Sequence, residues 1–329
     1  MIEITRFLNV SMIVRDMDEA LRDYEALFGF RSAYRVDVPE MACDSAILPA
    51  GAGYALELVA VLDTRKVEAR AGAGMTYSPQ EAERIVRDFL ARRGEGVYRL
   101  AFEVADFDAA RQHLCDRGVR HAYYDLDLPT GRNQVIIVHP KATSGIMFEL
   151  LPPGVYDRST LRDAWPAGAT GVSRRFMNVA CVVRDLAGTR RAFEDLLGLA
   201  PHHTHTVPAL GVTLSMFELG GDEVLEIMEP MATALRGTPG FNAQGARDLE
   251  GFLEKRGEGI YKLALEVHDF DAALARLDAA HARYVHYELP LDTGPLRMAV
   301  VHPRSAHGVM FELCEPGNPA IATKRPAGA

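Results

Sequence analysis

The chain has little of what several protein classes require. Its four cysteines, Cys43, Cys115, Cys181 and Cys314, show no CxxC spacing, which leaves neither a disulfide framework nor a zinc knuckle and predicts reduced, buried thiols. No apolar run approaches the roughly 20 residues that a membrane span needs, so no membrane partner is expected. A basic block is missing too. The 36 Lys and Arg residues face 45 Asp and Glu, for a net charge of −9, so nothing suits a phosphate backbone and no nucleic-acid partner is expected. The opening MIEITRFLNV carries no basic segment followed by an apolar stretch and a small-residue cleavage site, and the expectation is a soluble, cytoplasmic chain. What is present is ordinary globular composition, 48% hydrophobic and 25% charged over 329 residues, a length that suits two domains.

An internal repeat organises the chain. RFLNVSMIVRD from Arg6 recurs as RFMNVACVVRD from Arg175, 169 residues on. RGEGVYRLAFEVADFDAA from Arg93 recurs as RGEGIYKLALEVHDFDAA from Arg256, and VHPKATSGIMFEL from Val138 as VHPRSAHGVMFEL from Val301, both 163 residues on. The chain is therefore a duplication. The change of offset places about six extra residues in the first copy between Glu57 and Arg93, where DTRKVEARAGAGMTYSPQ reads as a surface loop. PPGVYDRSTLRDAWPAGATG reads as a linker. The expected boundaries are a domain over 1–152, a linker over 153–171, a domain over 172–316 and a tail over 317–329.

Each copy contains two similar units, in which an apolar strand leads to an Asp-capped helix and then to further strands. The helix starts fall at Asp16, Asp106, Asp185 and Asp269, a residue type whose carboxylate accepts the free N–H groups of a first turn. Asp16 and Glu19 have capping-box spacing. MDEALRDYEALFGF places Ala20, Tyr24, Leu27 and Phe28 on one face and ends at Gly29, a suitable left-handed stop. The strands VIIVHP and IMFELL are rich in β-branched and aromatic residues. The predicted class is α+β, with a βαβββ unit four times over.

A βαβββ unit carrying xVRDxxxAxxxYxxxFGF, followed by FLxxRGEG, AFEVxDFDAA and VHPKxxxGxxFEL, resembles the vicinal oxygen chelate superfamily of glyoxalases, bleomycin-resistance proteins and dioxygenases. The resemblance covers nearly the whole chain and implies four modules forming two tandem barrels. FLEKRGEGIYKLALEV and VHPRSAHGVMFEL are most similar to the methylmalonyl-CoA epimerase branch, in which a two-module chain is about half this size. The family holds a metal in the barrel through a His on the first strand, a Glu or Gln on the fourth, a His on the fifth and a Glu on the eighth. The matching positions are Asn9, Glu57, Arg99 and Glu149 in the first copy and Asn178, Glu226, Lys262 and Glu312 in the second. Both histidines are missing, twice.

A protonated Arg or Lys cannot ligate a metal. Next to two carboxylates it forms charge-assisted hydrogen bonds in the space an ion would fill. The expectation is an internal ion cluster in each copy, Arg99 with Glu57 and Glu149, and Lys262 with Glu226 and Glu312, with no bound metal and no cofactor. The epimerases also carry a VPE motif whose Glu is thought to move a proton. DVPEMACDS keeps it as Glu40, whereas TVPALGVTL has Ala209. Two readings of Glu40 stand: a general base beside Arg99, which would steady an enolate-like oxyanion, or a rim carboxylate in a turn after a proline.

Other polar residues carry open readings. His203 and His205 share a strand face, opposite His202, and are either a metal pair or a solvated edge strand. His139 and His302 precede prolines at matching strand ends and are either structural or turned to a ligand. Tyr34, Tyr123, Tyr124 and Tyr284 either line pocket mouths or pack in cores and interfaces.

Three functions compete. The first is a metal-independent enzyme moving protons on a small oxygenated or acyl-thioester substrate, an isomerase, epimerase or lyase, with Glu40, Arg99 and Glu149 catalytic. Asn9, Glu57, His139, Asn178, Glu226, Lys262 and Glu312 would then bind substrate. The second is a small-molecule binding or sequestration protein of the bleomycin-resistance type. The third is an extradiol dioxygenase, whose iron needs two His and a carboxylate. The assembly is either a monomer with internal pseudo-symmetry or a homodimer.

Overall fold

The computed structural model describes residues 1–51, 55–66, 75–128, 131–155, 168–219, 224–289 and 295–317. The first copy contributes β1 (Ile4–Val14), α1 (Met17–Phe28), β2 (Tyr34–Val38), β3 (Cys43–Pro49), β4 (Ala55–Val61), α2 (Pro79–Arg93), β5 (Gly96–Val104), α3 (Phe107–Asp116), β6 (His121–Leu128), β7 (Gly131–Val138) and β8 (Phe148–Leu151). The second contributes β9 (Ser173–Val182), α4 (Leu186–Leu197), β10 (His203–Val207), β11 (Val212–Glu218), β12 (Val224–Pro230), α5 (Ala243–Arg256), β13 (Gly259–Val267), α6 (Phe270–Ala279), β14 (Tyr284–Leu289), β15 (Leu296–Val301) and β16 (Met310–Cys314). Each copy makes one eight-stranded sheet, in the orders β2-β3-β4-β1-β5-β8-β7-β6 and β10-β11-β12-β9-β13-β16-β15-β14. The class is α+β with four βαβββ modules, and the first strands of paired modules, β1 with β5 and β9 with β13, run antiparallel at the middle of each sheet.

Local chemistry accounts for the module helices. Asp16, Asp106, Asp185 and Asp269 each accept a hydrogen bond from the backbone N–H three residues on, at 2.8, 2.9, 2.8 and 3.0 Å. Each such cap is worth about 1 kcal/mol. Gly29 ends α1 at φ 72° and returns its N–H to the Glu25 carbonyl, a left-handed conformation that costs other residues strain.

The two faces of each sheet have different duties. On β1, Val10, Met12 and Val14 enter a core shared by both copies, with Tyr24 of α1, Phe193 of α4 and Leu277 of α6. Phe7 stacks on Phe176 at 5.4 Å, and Phe148 meets Phe193 at 5.5 Å, so aromatic rings join the two halves. The alternate residues face a separate cup in each half, closed by Ala82, Val86 and Leu90 in the first and Leu249 and Leu253 in the second. Those closing helices, α2 and α5, are additions to the βαβββ pattern. Ser78 and Glu81 form a capping box at the start of α2, so the end of the stretch expected to be loop is helix. The rest of that stretch includes residues 67–74, which lie outside the described residues, as do 156–167 of the expected linker and 318–329 of the expected tail.

Cys43, Cys181 and Cys314 are buried free thiols as expected, but Cys115 is exposed on α3. Its position in the last turn faces water rather than the shared core, where Ala110 and Leu114 lie. Among the described residues no helix is long and apolar enough to cross a membrane.

Candidate active site

Register brings the expected cluster together. Ser11 on β1 lies directly opposite Glu57 of the parallel β4 and Arg99 of the antiparallel β5, so three side chains form a row across three adjacent strands. Glu149 on β8 is level with Ala101 of β5, two residues from Arg99 on the same face. The Arg99 guanidinium is buried and paired with both carboxylates: its Nε contacts Glu149 Oε2, and its Nη2 lies 3.3 Å from Glu57 Oε2. Nε also lies 3.1 Å from Ser11 Oγ. Glu57 is further supplied by Ser45 Oγ at 2.6 Å and by Ser11 Oγ. Asn9, two residues from Ser11, offers its Oδ1 to the Ser11 hydroxyl at 3.4 Å.

One cation between two carboxylates leaves one negative charge in excess. Burial pushes the Glu149 carboxyl up to about 7, with Arg99 opposing the rise and the charge of Glu57 adding to it. Arg99 itself is held well above its ordinary value, because the charges of Glu149 and Glu57 outweigh its burial. The Cys43 thiol beside it is pushed by burial to about 12.

A cavity of about 340 Å³ reaches this row at Arg99, with Tyr98, Tyr124 and Cys43 also among its lining residues. Arg84, Arg92, Arg120, His121 and His139 also line it, with Asp88 as the carboxylate. His139 does two things: its Nδ1 accepts the Lys141 N–H at 3.2 Å, and its ring lines the cavity. Glu40 is buried in a 3-10 turn over Pro39–Met41. Among the described residues no hydrogen bond or ion pair joins it to Arg99, although its neighbours Met41 and Cys43 line the cavity.

The second copy repeats the plan with fewer donors. Ala180 stands opposite Glu226 and Lys262 where Ser11 stands in the first copy. Lys262 Nζ contacts Glu312 Oε2, and Tyr287 donates to Glu312 Oε1 at 3.3 Å. The ammonium is raised above its ordinary value by Glu312 and Glu226 against the opposing effect of burial. Asn178, the counterpart of Asn9, is buried with its Oδ1 unpartnered. A cavity of about 410 Å³ over this base includes Val212, Met228, Leu249, Tyr261 and Met310 in its lining, with Lys262, Arg283, His302 and Glu312.

These donor sets do not fit a divalent ion. A guanidinium and an ammonium occupy the fifth-strand positions and already hold the carboxylates a metal would need. Among the described residues no group of three or more His, Cys, Asp and Glu side chains is arranged to hold a metal. The His203 and His205 rings lie 4.5 Å apart on edge strand β10, outside any such group.

Sequence reasoning brought Glu57, Arg99 and Glu149 together correctly and missed Ser11, Ser45 and the cavity arginines. Alternation along β1 puts Ser11 on the same face as Asn9, and that signal was available. The arginines of α2 were not accessible to it, since α2 was read as loop at its start. Tyr124 and Tyr284 line the cavities, whereas Tyr123 is a core residue whose hydroxyl accepts from Gln134 at 2.7 Å.

Paired βαβββ modules, each pair curled around a polar base, define a tandem barrel of the vicinal oxygen chelate kind. The chain belongs to the Glyoxalase/Bleomycin resistance protein/Dioxygenase superfamily, whose family model matches residues 9–133 and 177–291. It is 28% identical over 142 residues to the uncharacterized protein YqjC of Bacillus subtilis, covering 43% of this chain and 92% of that one. It is 25% identical over 140 residues to the mitochondrial methylmalonyl-CoA epimerase of Homo sapiens, covering 42% of this chain and 72% of the epimerase. Over nearly its full length it shares its fold with a mutant of 4-hydroxymandelate synthase from Streptomyces coelicolor, at a TM-score of 0.63, 17% identity and coverage of 95% and 93%.

Proposed function

We propose that the first barrel is a metal-independent proton-transfer site, of isomerase, epimerase or lyase type, acting on a small oxygenated or acyl-thioester substrate. The observation that carries this reading is the pairing of the buried Glu149 carboxylate with the Arg99 guanidinium that lines the cavity, a carboxyl that burial pushes up to about 7. A base tuned to neutral pH takes a proton from a carbon acid and returns it with little penalty either way. In the proposed step Glu149 removes the proton α to a carbonyl, the C–H electron pair moves onto the carbonyl oxygen, and the proton returns to carbon on the same or the opposite face. Arg99 Nη1 makes no hydrogen bond among the described residues, and this donor steadies the enolate oxygen. Glu40 is the second proton carrier in this reading, and the lining arginines Arg84, Arg92 and Arg120 attract an anionic end of the substrate.

The epimerase relative, whose name carries a CoA thioester, supports the substrate class. The experiment is proton exchange in D2O, followed by NMR on a panel of branched acyl thioesters and 2-oxo acids. Exchange at the α-carbon that is lost in Glu149→Gln and reduced in Glu40→Gln is the expected result; no exchange with any of them, despite measurable binding, overturns the enzyme reading. A second reading, binding without turnover, is favoured by the full engagement of Arg99 Nε and Nη2. It predicts saturable binding that Glu40→Gln leaves unchanged.

A further inference from the structure

The two barrels meet across a pseudo-symmetric interface. The turn after Pro303 packs onto the start of β5: a β-carbon on Gly308 would stand 2.0 Å from the Glu95 carbonyl oxygen, and one on Gly145 would stand 2.3 Å from that of Glu258. Arg93 Nη1 crosses to Glu258 O at 3.3 Å, whereas Arg256 Nη1 reaches Gly308 O of its own barrel at 3.4 Å. Glu95 accepts the Arg15 N–H and Glu258 the Arg184 N–H, both at 2.8 Å. One place where the symmetry breaks is the pair Ser144 and His307. Where the first copy has Ser144, bonded to the Thr189 hydroxyl at 2.7 Å, the second has His307.

His307 reaches across to the first barrel with both ring nitrogens. Nε2 lies 3.0 Å from Asp23 Oδ2 on α1, and Nδ1 lies 3.3 Å from Glu95 Oε1. Its side chain is only 8% exposed, and its ring stacks on Tyr24 at 5.8 Å. The counterpart of Asp23 is Ala192, so the other side of the interface has no such arrangement. An imidazole facing a carboxylate through each nitrogen makes two good hydrogen bonds only when both nitrogens carry protons. The other charged groups lining the same cleft are Glu19 and Arg15 from the first barrel, and Arg256 and Arg304 from the second.

We infer that His307 is a pH-sensitive clasp between the barrels, closed when its imidazole is doubly protonated and bridges Asp23 to Glu95, and loosened when it loses a proton. The contact has a route to both cavities. Glu95 immediately precedes β5, the strand that carries Arg99, and His307 stands between His302 and the pair Met310 and Glu312, which all line the second cavity.

Linkage sets the direction. Burial pulls the His307 pKa down, but the hydrogen bonds and charges of Glu95 and Asp23 outweigh it and leave it above its ordinary 6.5. A His raised by folding contributes stability that is complete below the unfolded pKa and is lost as pH rises through the folded one.

The test is a pair of measurements on the full chain. The first is the NMR titration of the His307 ring in the wild type and in Asp23→Asn and Glu95→Gln. The expected result is a midpoint above 6.5 that falls towards or below it in both variants; a wild-type midpoint at or below 6.5 overturns the clasp. The second is thermal unfolding from pH 6 to pH 9 for the wild type and His307→Ser. Ser is tolerated because Ser144 already holds the matching backbone conformation, φ 49° against 47° at His307. The clasp predicts a wild-type advantage of a few degrees at pH 6 that vanishes by pH 9. Parallel melting curves for the two proteins overturn it.

Discussion

The two barrels have the same architecture and different bases. In the first, Glu57 receives hydroxyl donors from Ser11 and Ser45 and a guanidinium from Arg99. In the second, the serines are replaced by Ala180 and Leu214, and the cation is Lys262, a point charge rather than a planar fork. A guanidinium addresses two carboxylates at once from a fixed geometry, and the hydroxyls satisfy the remaining lone pairs. The first barrel therefore keeps a closely specified polar network, while the second keeps a charge pair under a largely apolar cavity.

The largest way to break this comparison is to remove the cations. Arg99→Ala leaves two buried carboxylates facing each other, and denaturant unfolding is expected to show a loss of about 3–5 kcal/mol. Lys262→Ala is expected to cost less, because its side chain is 18% exposed against 5% for Arg99 and water can enter. Equal losses would show that the two bases are equivalent in energy.

Next in size are the hydroxyls. Ser11→Ala and Ser45→Ala each remove a donor from a buried carboxylate, at an expected cost of about 1–3 kcal/mol. Ala180→Ser, which copies the first base into the second, is expected to cost far less. A stability loss for Ala180→Ser equal to that for Ser11→Ala would contradict the contrast.

Protonation sharpens the comparison further. Burial raises the Glu149 carboxyl from its ordinary 4.5 to about 7. The folded state therefore holds its proton more tightly than the unfolded one, and stability declines as pH climbs from about 4.5 to about 7. Glu149→Gln is expected to flatten that part of the stability profile, measured by urea unfolding at several pH values.

The smallest effects are at features the two barrels share. Asp16→Ala and Asp185→Ala remove equivalent caps from α1 and α4, and each is expected to cost about 1 kcal/mol. Thermal melts that separate the two by more than their errors would place an asymmetry in the helices as well as in the bases.

How much of this was legible in the sequence follows from the range of the forces involved. The repeat, the four Asp caps and the Gly29 stop are local signals, and each corresponds to an element end. The meeting of Glu57, Arg99 and Glu149 was legible through family resemblance, since nothing local links positions so far apart. Ser11 was hidden because the resemblance pointed to Asn9, while cross-strand register puts Ser11 opposite Glu57 and Arg99. Helix α2 announces itself by Ser78, Pro79 and Glu81, a capping box obscured by the polar stretch before it. The His307 contact was out of reach, because it depends on how one barrel docks on the other.

The central claim is that Arg99 and Lys262 stand where the family resemblance implies a metal-binding histidine. Its most direct test is the metal content of the purified, untagged protein, by inductively coupled plasma mass spectrometry, before and after incubation with zinc, cobalt, manganese and iron. The account predicts metal far below one equivalent per barrel under every condition. Near-stoichiometric metal that is retained after desalting and lost in Glu57→Gln or Glu149→Gln would contradict it.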